Sequence, residues 1–238
     1  MSTILVTRPI EEANGTAQRL EHIGHRVIQA PMLKVEPVSF EIPEENRSII
    51  ITSKNGARMG LSNIGNKNRP IFAVGEKTAE EARMLGFTNV TVGPGTARKM
   101  VPMLLECSGI SETRKYTHLC GSALSYNICD VLKGEGIDAE NTVTYQTRGQ
   151  RSLGVGVQEA LNDGEIDIAL FYSPRTATIF EEVVADYGRS DWLGKMDALC
   201  LSTRVAENLL GPWRSKSYAV IPTEKAMFSL IDNPGETF

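Results

Sequence analysis

The chain has 238 residues, 41% of them hydrophobic, and 25 Lys and Arg against 29 Asp and Glu give a net charge of −4. That hydrophobic share suffices for one large core or two modest ones, and no apolar run is long enough to span a bilayer. The acidic balance argues against a general nucleic-acid binder, which usually carries a basic face. Cysteines at 107, 120, 129 and 200 lack the spacing of a disulfide framework or a zinc site, so reduced thiols and a cytoplasmic protein are expected. The block Ile4-Leu5-Val6 is too short for a secretion signal.

In chain order, "ILVT" reads as a strand that passes through Thr7-Arg8-Pro9 into a helix from Ile10 to about Gly24. Ala13, Ala17, Leu20 and Ile23 recur along that helix at spacings of three and four. "VIQAPMLKVEPVSF", 27–40, is extended, because Pro31 and Pro37 oppose a helix or a central strand. "SIIITS" precedes a helix beginning near Lys54, and "PIFAVG" precedes "EKTAEEARMLG", which Gly86 closes. "YTHLCGS", "IDIALFYS" and "DALCLST" are each predicted to open a helix, while "NTVTYQTRG", 141–149, has strand composition.

Unbroken Ile/Val/Leu runs suit parallel strands covered on both faces, and strand-helix-strand succession gives an open parallel sheet with ligands at the carboxyl ends of its strands. The chain also resembles itself. "IITSKNGARM" reads like "LFYSPRTATI", and "AVGEKTAEEARMLG" like "LCLSTRVAENLLG", with Ser53 and Ser173 half a chain apart. The expected fold class is α/β: two similar flavodoxin-like or Rossmann-like parallel-sheet domains joined by a two-stranded antiparallel bridge. Residues 1–35 plus 147–238 form a discontinuous domain, 38–142 an inserted one, and the bridge strands lie at about 30–38 and 141–147. A hinged cleft between rows of helix N-termini is expected.

"LVTRP", "TSKNGAR", "AVGEKTAEEARMLGF", "TVTYQT", "LFYSPRTA" and the Thr-x-x-Ala-Glu near the end, in this order, resemble the uroporphyrinogen-III synthase family. The resemblance implies a lyase of tetrapyrrole and heme synthesis. Hydroxymethylbilane loses water to an azafulvene, the far pyrrole attacks through its substituted carbon, and a spiro intermediate fragments and closes with one ring inverted. It implies no cofactor and no metal, and a linear tetrapyrrole as the small-molecule partner; the charge balance and the short apolar runs argue for no nucleic acid and no membrane, and nothing demands more than a monomer.

An acidic protein cannot hold a polycarboxylate in a basic basin, but helix N-termini offer unpaired N–H groups and a positive dipole end. The candidate substrate-binding corners are Thr7 and Arg8; Ser53, Lys54 and Asn55; Gly75, Lys77 and Thr78; Gly121 and Ser122; Ser173; and Ser202, Thr203 and Arg204. Their bland reading is simple N-capping. Lys77 and Arg204, cations near first helical turns, oppose the dipole unless an anion arrives. Tyr145 matches the family's cleft tyrosine, and a phenol, protonated at neutral pH, could give a proton to the departing hydroxyl.

His22 and His25 read as surface residues, and His118 as core. Gly93-Pro94-Gly95 reads as a loop, Gly154-Val155-Gly156 lacks a dinucleotide context, and Trp192 and Trp213 are expected to pack near the C-terminal sheet. Compared with the family, Cys120-Gly121-Ser122 replaces an Arg-Gly turn, and Ser202-Thr203-Arg204 replaces a glycine-led turn. These departures support the alternative of a non-catalytic two-lobed protein that binds a tetrapyrrole or another polyanion. A nucleotide-binding domain pair is disfavoured by the missing glycine fingerprint.

Overall fold

A computed structural model describes residues 1–109 and 115–232. The first third of the chain contains β1 (Thr3–Val6), α1 (Ile10–His22), β2 (Arg26–Gln29), β3 (Leu33–Pro37), β4 (Arg47–Ile51), α2 (Lys54–Leu61), β5 (Ile71–Ala73) and α3 (Glu76–Met84). The middle contains β6 (Val90–Val92), α4 (Ala97–Gly109), β7 (Lys115–Gly121), α5 (Ile128–Gly134) and β8 (Ala139–Gly149). Then follow α6 (Val155–Asn162), β9 (Ile168–Phe171), α7 (Pro174–Asp186), a 3-10 turn at Ser190–Lys195, β10 (Asp197–Cys200), α8 (Thr203–Ala206), β11 (Ser215–Tyr218) and α9 (Glu224–Phe228).

The chain divides into two compact units: Met1–Lys34 with Arg148–Phe238, and Val35–Thr147. The first holds a sheet in the order β11-β10-β9-β1-β2, and its strands pair in parallel. The second holds β3-β8-β7-β4-β5-β6, parallel from β8 to β6. β3 sits at the edge beside β8. The amide of Val38 donates to Thr144 and that of Gln150 to Met32, so partner numbers fall along one strand as they rise along the other, an antiparallel match. Pro37 closes an edge strand, where its missing N–H costs no ladder bond.

The two parallel circuits are the same once the chain is cut in a different place. Beginning at β4, the second unit runs β4, β5, β6, then β7 and β8 on the other side. Beginning at β9, the first unit runs β9, β10, β11, then β1 and β2 on the other side. Ser53 and Ser173, alike in sequence, follow the corresponding strands β4 and β9.

Burial explains the unbroken apolar runs. Ile49 and Ile51 face α2 and α3 on one side of their sheet, while Ile50 faces α4 and α5 on the other. Leu5 and the neighbouring Ile4 and Val6 divide in the same way between two core clusters. Trp192 and Trp213 are buried in the C-terminal core, the latter edge-on to Phe171 with ring centroids 5.5 Å apart. Gly86, at φ 90°, takes the left-handed turn that ends α3.

Two expected helix openings differ. After "YTHLCGS" the amide of Ser122 donates to the carbonyl of Tyr145, past a register shift at Cys120/Gly121. Strand pairing thus continues beyond Gly121, and α5 starts only after Asn127. After "DALCLST", α8 lasts four residues rather than continuing to Gly211. The amides of Leu210 and Gly211 bond to Glu181, and Pro212 follows, so the helical ladder cannot extend.

Arg69, only 2% exposed, holds the entrance to β4. Its guanidinium donates to the carbonyls of Arg47 at 2.8 Å, Pro43 at 2.9 Å and Glu44. Arg69→Met leaves those carbonyls without their charged donor, so a loss of about 3 kcal/mol is expected in urea denaturation. A change below about 1 kcal/mol would contradict this role.

Candidate functional site

In a parallel sheet the crossover direction reverses at one point, and there the strand ends leave a crevice. In the second unit that point lies between β4 and β7, and a cavity of about 340 Å³ occupies it. Thr52 and Ser53 line it from β4, Val74 from β5, Gly121 from β7 and Tyr145 from β8, with Gly95, Thr96 and Ala97 at the start of α4. Ala123, Leu124, Ser125 and Tyr126 close it on the loop before α5.

Ser53 caps α2, its hydroxyl accepting from the amide of Gly56 at 3.0 Å. The same oxygen lies 3.0 Å from the phenolic oxygen of Tyr145. Tyr145 reaches that position because Gly121 has no side chain: a Cβ there would stand 2.7 Å from Cζ of the ring. Thr96 caps α4 by accepting from Lys99 at 3.3 Å. The pocket therefore receives the N-terminal ends of α2 and α4, each with amides and a positive dipole end. The guanidinium of Arg98 lies over the ring of Tyr126, 4.9 Å from its centroid.

Other residues of the expected corners are distributed as follows. Lys54 opens α2 and lies 4.0 Å from Glu81, whose carboxyl is held below its usual range by a hydrogen bond from Arg58, despite partial burial. Asn55 is half-buried one residue further on. Gly75 caps α3 without a side-chain bond, Lys77 is exposed in the first turn, and Thr78 is buried against the sheet rather than turned outward. The exposed Ser122 has committed its amide to Tyr145, which leaves no helix N-terminus at this corner.

The first unit is arranged differently at the matching reversal between β1 and β9. Thr7 is fully buried and donates its hydroxyl to the carbonyl of Leu170 at 2.7 Å, so it does not present a hydroxyl to an anion. Arg8 stacks on Tyr172 at 4.2 Å and bonds to Glu12 and Glu224. Its charge is met by carboxylates of the protein, which corrects the expectation of an open anion corner.

Glu224, at the start of α9, accepts from Thr16 and Tyr172 at 2.8 Å each and pairs with Arg19 at 2.5 Å. Burial alone would raise its pKa, but these bonds and the charge of Arg19 hold it below the usual carboxylate range. Burial, then the adjacent Glu224 charge, pushes the Tyr172 phenol well above its ordinary value.

Ser173 caps α7, accepting from Thr176 at 3.2 Å. Ser202 makes no side-chain cap, Thr203 and Arg204 are exposed, and the helix they open is a single turn. A dipole built from one turn is weak, so this corner lacks the basis inferred from its sequence. A larger open groove runs between α1 and α9, with Ile23, Phe228, Arg19 and Glu224 among its lining residues. Among the described residues no group of three or more His, Cys, Asp or Glu could hold a metal, and no helix is long and apolar enough to cross a membrane.

Thr52, Thr96 and Tyr126 line the pocket but were not singled out from the sequence, and Gly95, read there only as part of a loop, lines it too. Thr96, the last polar residue before a helical run, carried a capping signal in "GTARKM". Thr52 had none of its own.

These features define an α/β protein whose parallel sheets gather capped helix starts at a reversal point. A model of the family described as uroporphyrinogen-III synthase HemD matches residues 14–229, and the chain belongs to that family. It is 24% identical to the porphyrin biosynthesis protein HemD of Ruminiclostridium josui over 222 residues, covering 86% of this chain and 43% of that protein. The chain thus spans less than half the length of that relative. It is 25% identical to the uroporphyrinogen-III synthase of Chlorobaculum parvum over 206 residues, covering 80% of this chain and 82% of that one. Its fold is similar to the crystal structure of uroporphyrinogen-III synthetase from Helicobacter pylori, with a TM-score of 0.62 and 18% identity over 97% of this chain and 98% of that one.

The depressed pKa of Glu224 fixes the sign of a pH effect. Its contribution is present above the unfolded carboxylate pKa, near 4.3, and is lost as pH falls through the lower folded value. Glu224→Gln is expected to cost about 1–2 kcal/mol at neutral pH, with the gap from the wild type closing below about pH 4 in denaturation series. A gap unchanged by acid would show that the ionised form contributes nothing.

Proposed function

We propose that this chain converts hydroxymethylbilane into uroporphyrinogen III, with Tyr145 as the proton donor for the departing hydroxyl. The observation that carries the proposal is the Tyr145–Ser53 pair at the reversal-point pocket of a chain belonging to this family. Ser53 accepts the Gly56 amide, so its own hydroxyl hydrogen can point to the Tyr145 oxygen. The phenolic proton is then free for the substrate. As the hydroxymethyl C–O bond breaks, that proton leaves with the oxygen as water, and the remaining azafulvenium cation is the electrophile; the proton that the attacking pyrrole sheds from its nitrogen restores the phenol.

The pocket's volume suits one pyrrole with its carboxylate arms, not the whole chain of rings. The amides at the starts of α2 and α4 receive arm carboxylates, with Lys54 and Asn55 beside them and Gly75 and Lys77 on the neighbouring turn. Holding the reacting ends of the substrate oriented favours attack from the substituted carbon over simple closure, an effect of geometry rather than acid–base chemistry. Water loss, spiro closure, fragmentation and re-addition draw on no redox equivalent. Burial raises the thiols of Cys120 to about 11 and of Cys129 and Cys200 to about 12, favouring the unreactive protonated form.

The assay is incubation with freshly generated hydroxymethylbilane, which closes spontaneously to isomer I. The wild-type protein is expected to give an excess of isomer III; isomer I alone, despite tight binding, favours the non-catalytic reading. Tyr145→Phe is expected to lower kcat about a hundredfold with an unchanged melting temperature, and near-normal turnover would retire the assignment.

Gly121→Ala, whose new Cβ would drive the ring from Ser53, is expected to lower kcat by at least about tenfold. Wild-type activity there would mean that the ring position is immaterial.

A further inference from the structure

One hydroxyl in the pocket takes no part in the mechanism above. Thr52 lines the cavity, and its Oγ1 lies 2.8 Å from Nε2 of His118, which is fully buried in β7. Nδ1 of His118 lies 3.1 Å from Oδ1 of Asn141. Nδ2 of Asn141 donates to Oδ1 of Asn127 at 2.8 Å, and Nδ2 of Asn127 donates to Oδ2 of Asp130 at 2.7 Å.

The direction of this chain follows from its outer end. A carboxylate only accepts, so Asn127 turns its NH2 group to Asp130 and its oxygen to Asn141. Asn141 must then turn its NH2 group to Asn127 and its oxygen to His118. Only an N–H can meet that oxygen, so Nδ1 carries the proton. Burial pushes His118 down to about 4, leaving a neutral ring with a single N–H at pH 7. Nε2 is therefore an acceptor, and Thr52 must donate to it.

Thr52 lines the pocket and its one hydroxyl proton is committed to His118, so any contact its hydroxyl makes with a ligand there is made through lone pairs alone. Such an oxygen repels a carboxylate and attracts an N–H. The amides at the helix starts do the reverse.

We propose that Thr52 is a specificity-determining acceptor for a pyrrole N–H of the linear tetrapyrrole, with His118, Asn141, Asn127 and Asp130 as the positioning residues that fix its polarity. The assignment rests on the function proposed above and deepens it. Amides take the carboxylate arms and Thr52 takes a ring nitrogen, so the pocket distinguishes the face of a pyrrole from its substituents.

Two measurements test it. The nitrogen NMR spectrum of histidine-labelled wild-type protein at neutral pH is expected to show His118 in the Nδ1–H form alone; an Nε2–H form overturns the proposal. In the hydroxymethylbilane assay, Thr52→Val is expected to raise KM about five- to tenfold with kcat within about twofold, and Thr52→Ser to restore most of the loss. A wild-type KM in Thr52→Val, where the wild type makes isomer III, overturns the Thr52 assignment alone. A wild type that makes no excess of isomer III overturns the proposed function and this assignment with it.

Discussion

Parallel strand pairing is the constraint on which the rest of this structure depends. A parallel neighbour can be reached only by a crossover, so each apolar strand must deliver the chain to a helix that returns over the sheet. Because β4 and β7 run the same way, the caps and turns that follow them share one edge. Ser53, Gly121 and the start of α4 come together for that reason, although they are distant in sequence. Tyr145 joins them because β8 runs parallel to β7 with Gly121 opposite Tyr145.

The two units use the same circuit for different ends. At the reversal point of the second unit the strand ends surround open space. At that of the first, Glu224 brings α9 onto Arg8, Arg19, Thr16 and Tyr172. The chain thus supplies its own carboxylate where an external one was expected, and an arginine that looked available is a fixed part of the packing. Partial burial of Arg8, Tyr172 and Glu224 makes breaking this group costly, because each would leave the others with unmet polarity.

What was legible in the sequence was what is local. Unbroken apolar runs announced parallel strands, the turns before α2 and α7 announced caps, and Pro37 announced an edge. Partnerships across the fold were not legible. Arg8 and Glu224 stand 216 residues apart, and Thr52 and His118 stand 66 apart. Thr7 looked like part of a polar corner, yet its short side chain faces the neighbouring strand and is satisfied there. Ser122 and Ser202 resembled Ser53 in letters, but strand pairing past Gly121 and the stop imposed by Glu181 and Pro212 gave them different surroundings.

The shifted cut in the circuit has a consequence for biosynthesis. By the time residue 149 has been made, every strand of the second sheet exists, whereas the first has only its β1–β2 pair. Leu5 must wait for Ala169 before its strand gains its other neighbour. Vectorial translation therefore lets the inserted unit mature while the β1–β2 ribbon, with α1 on one face, keeps its Leu5 face open at the ribosome.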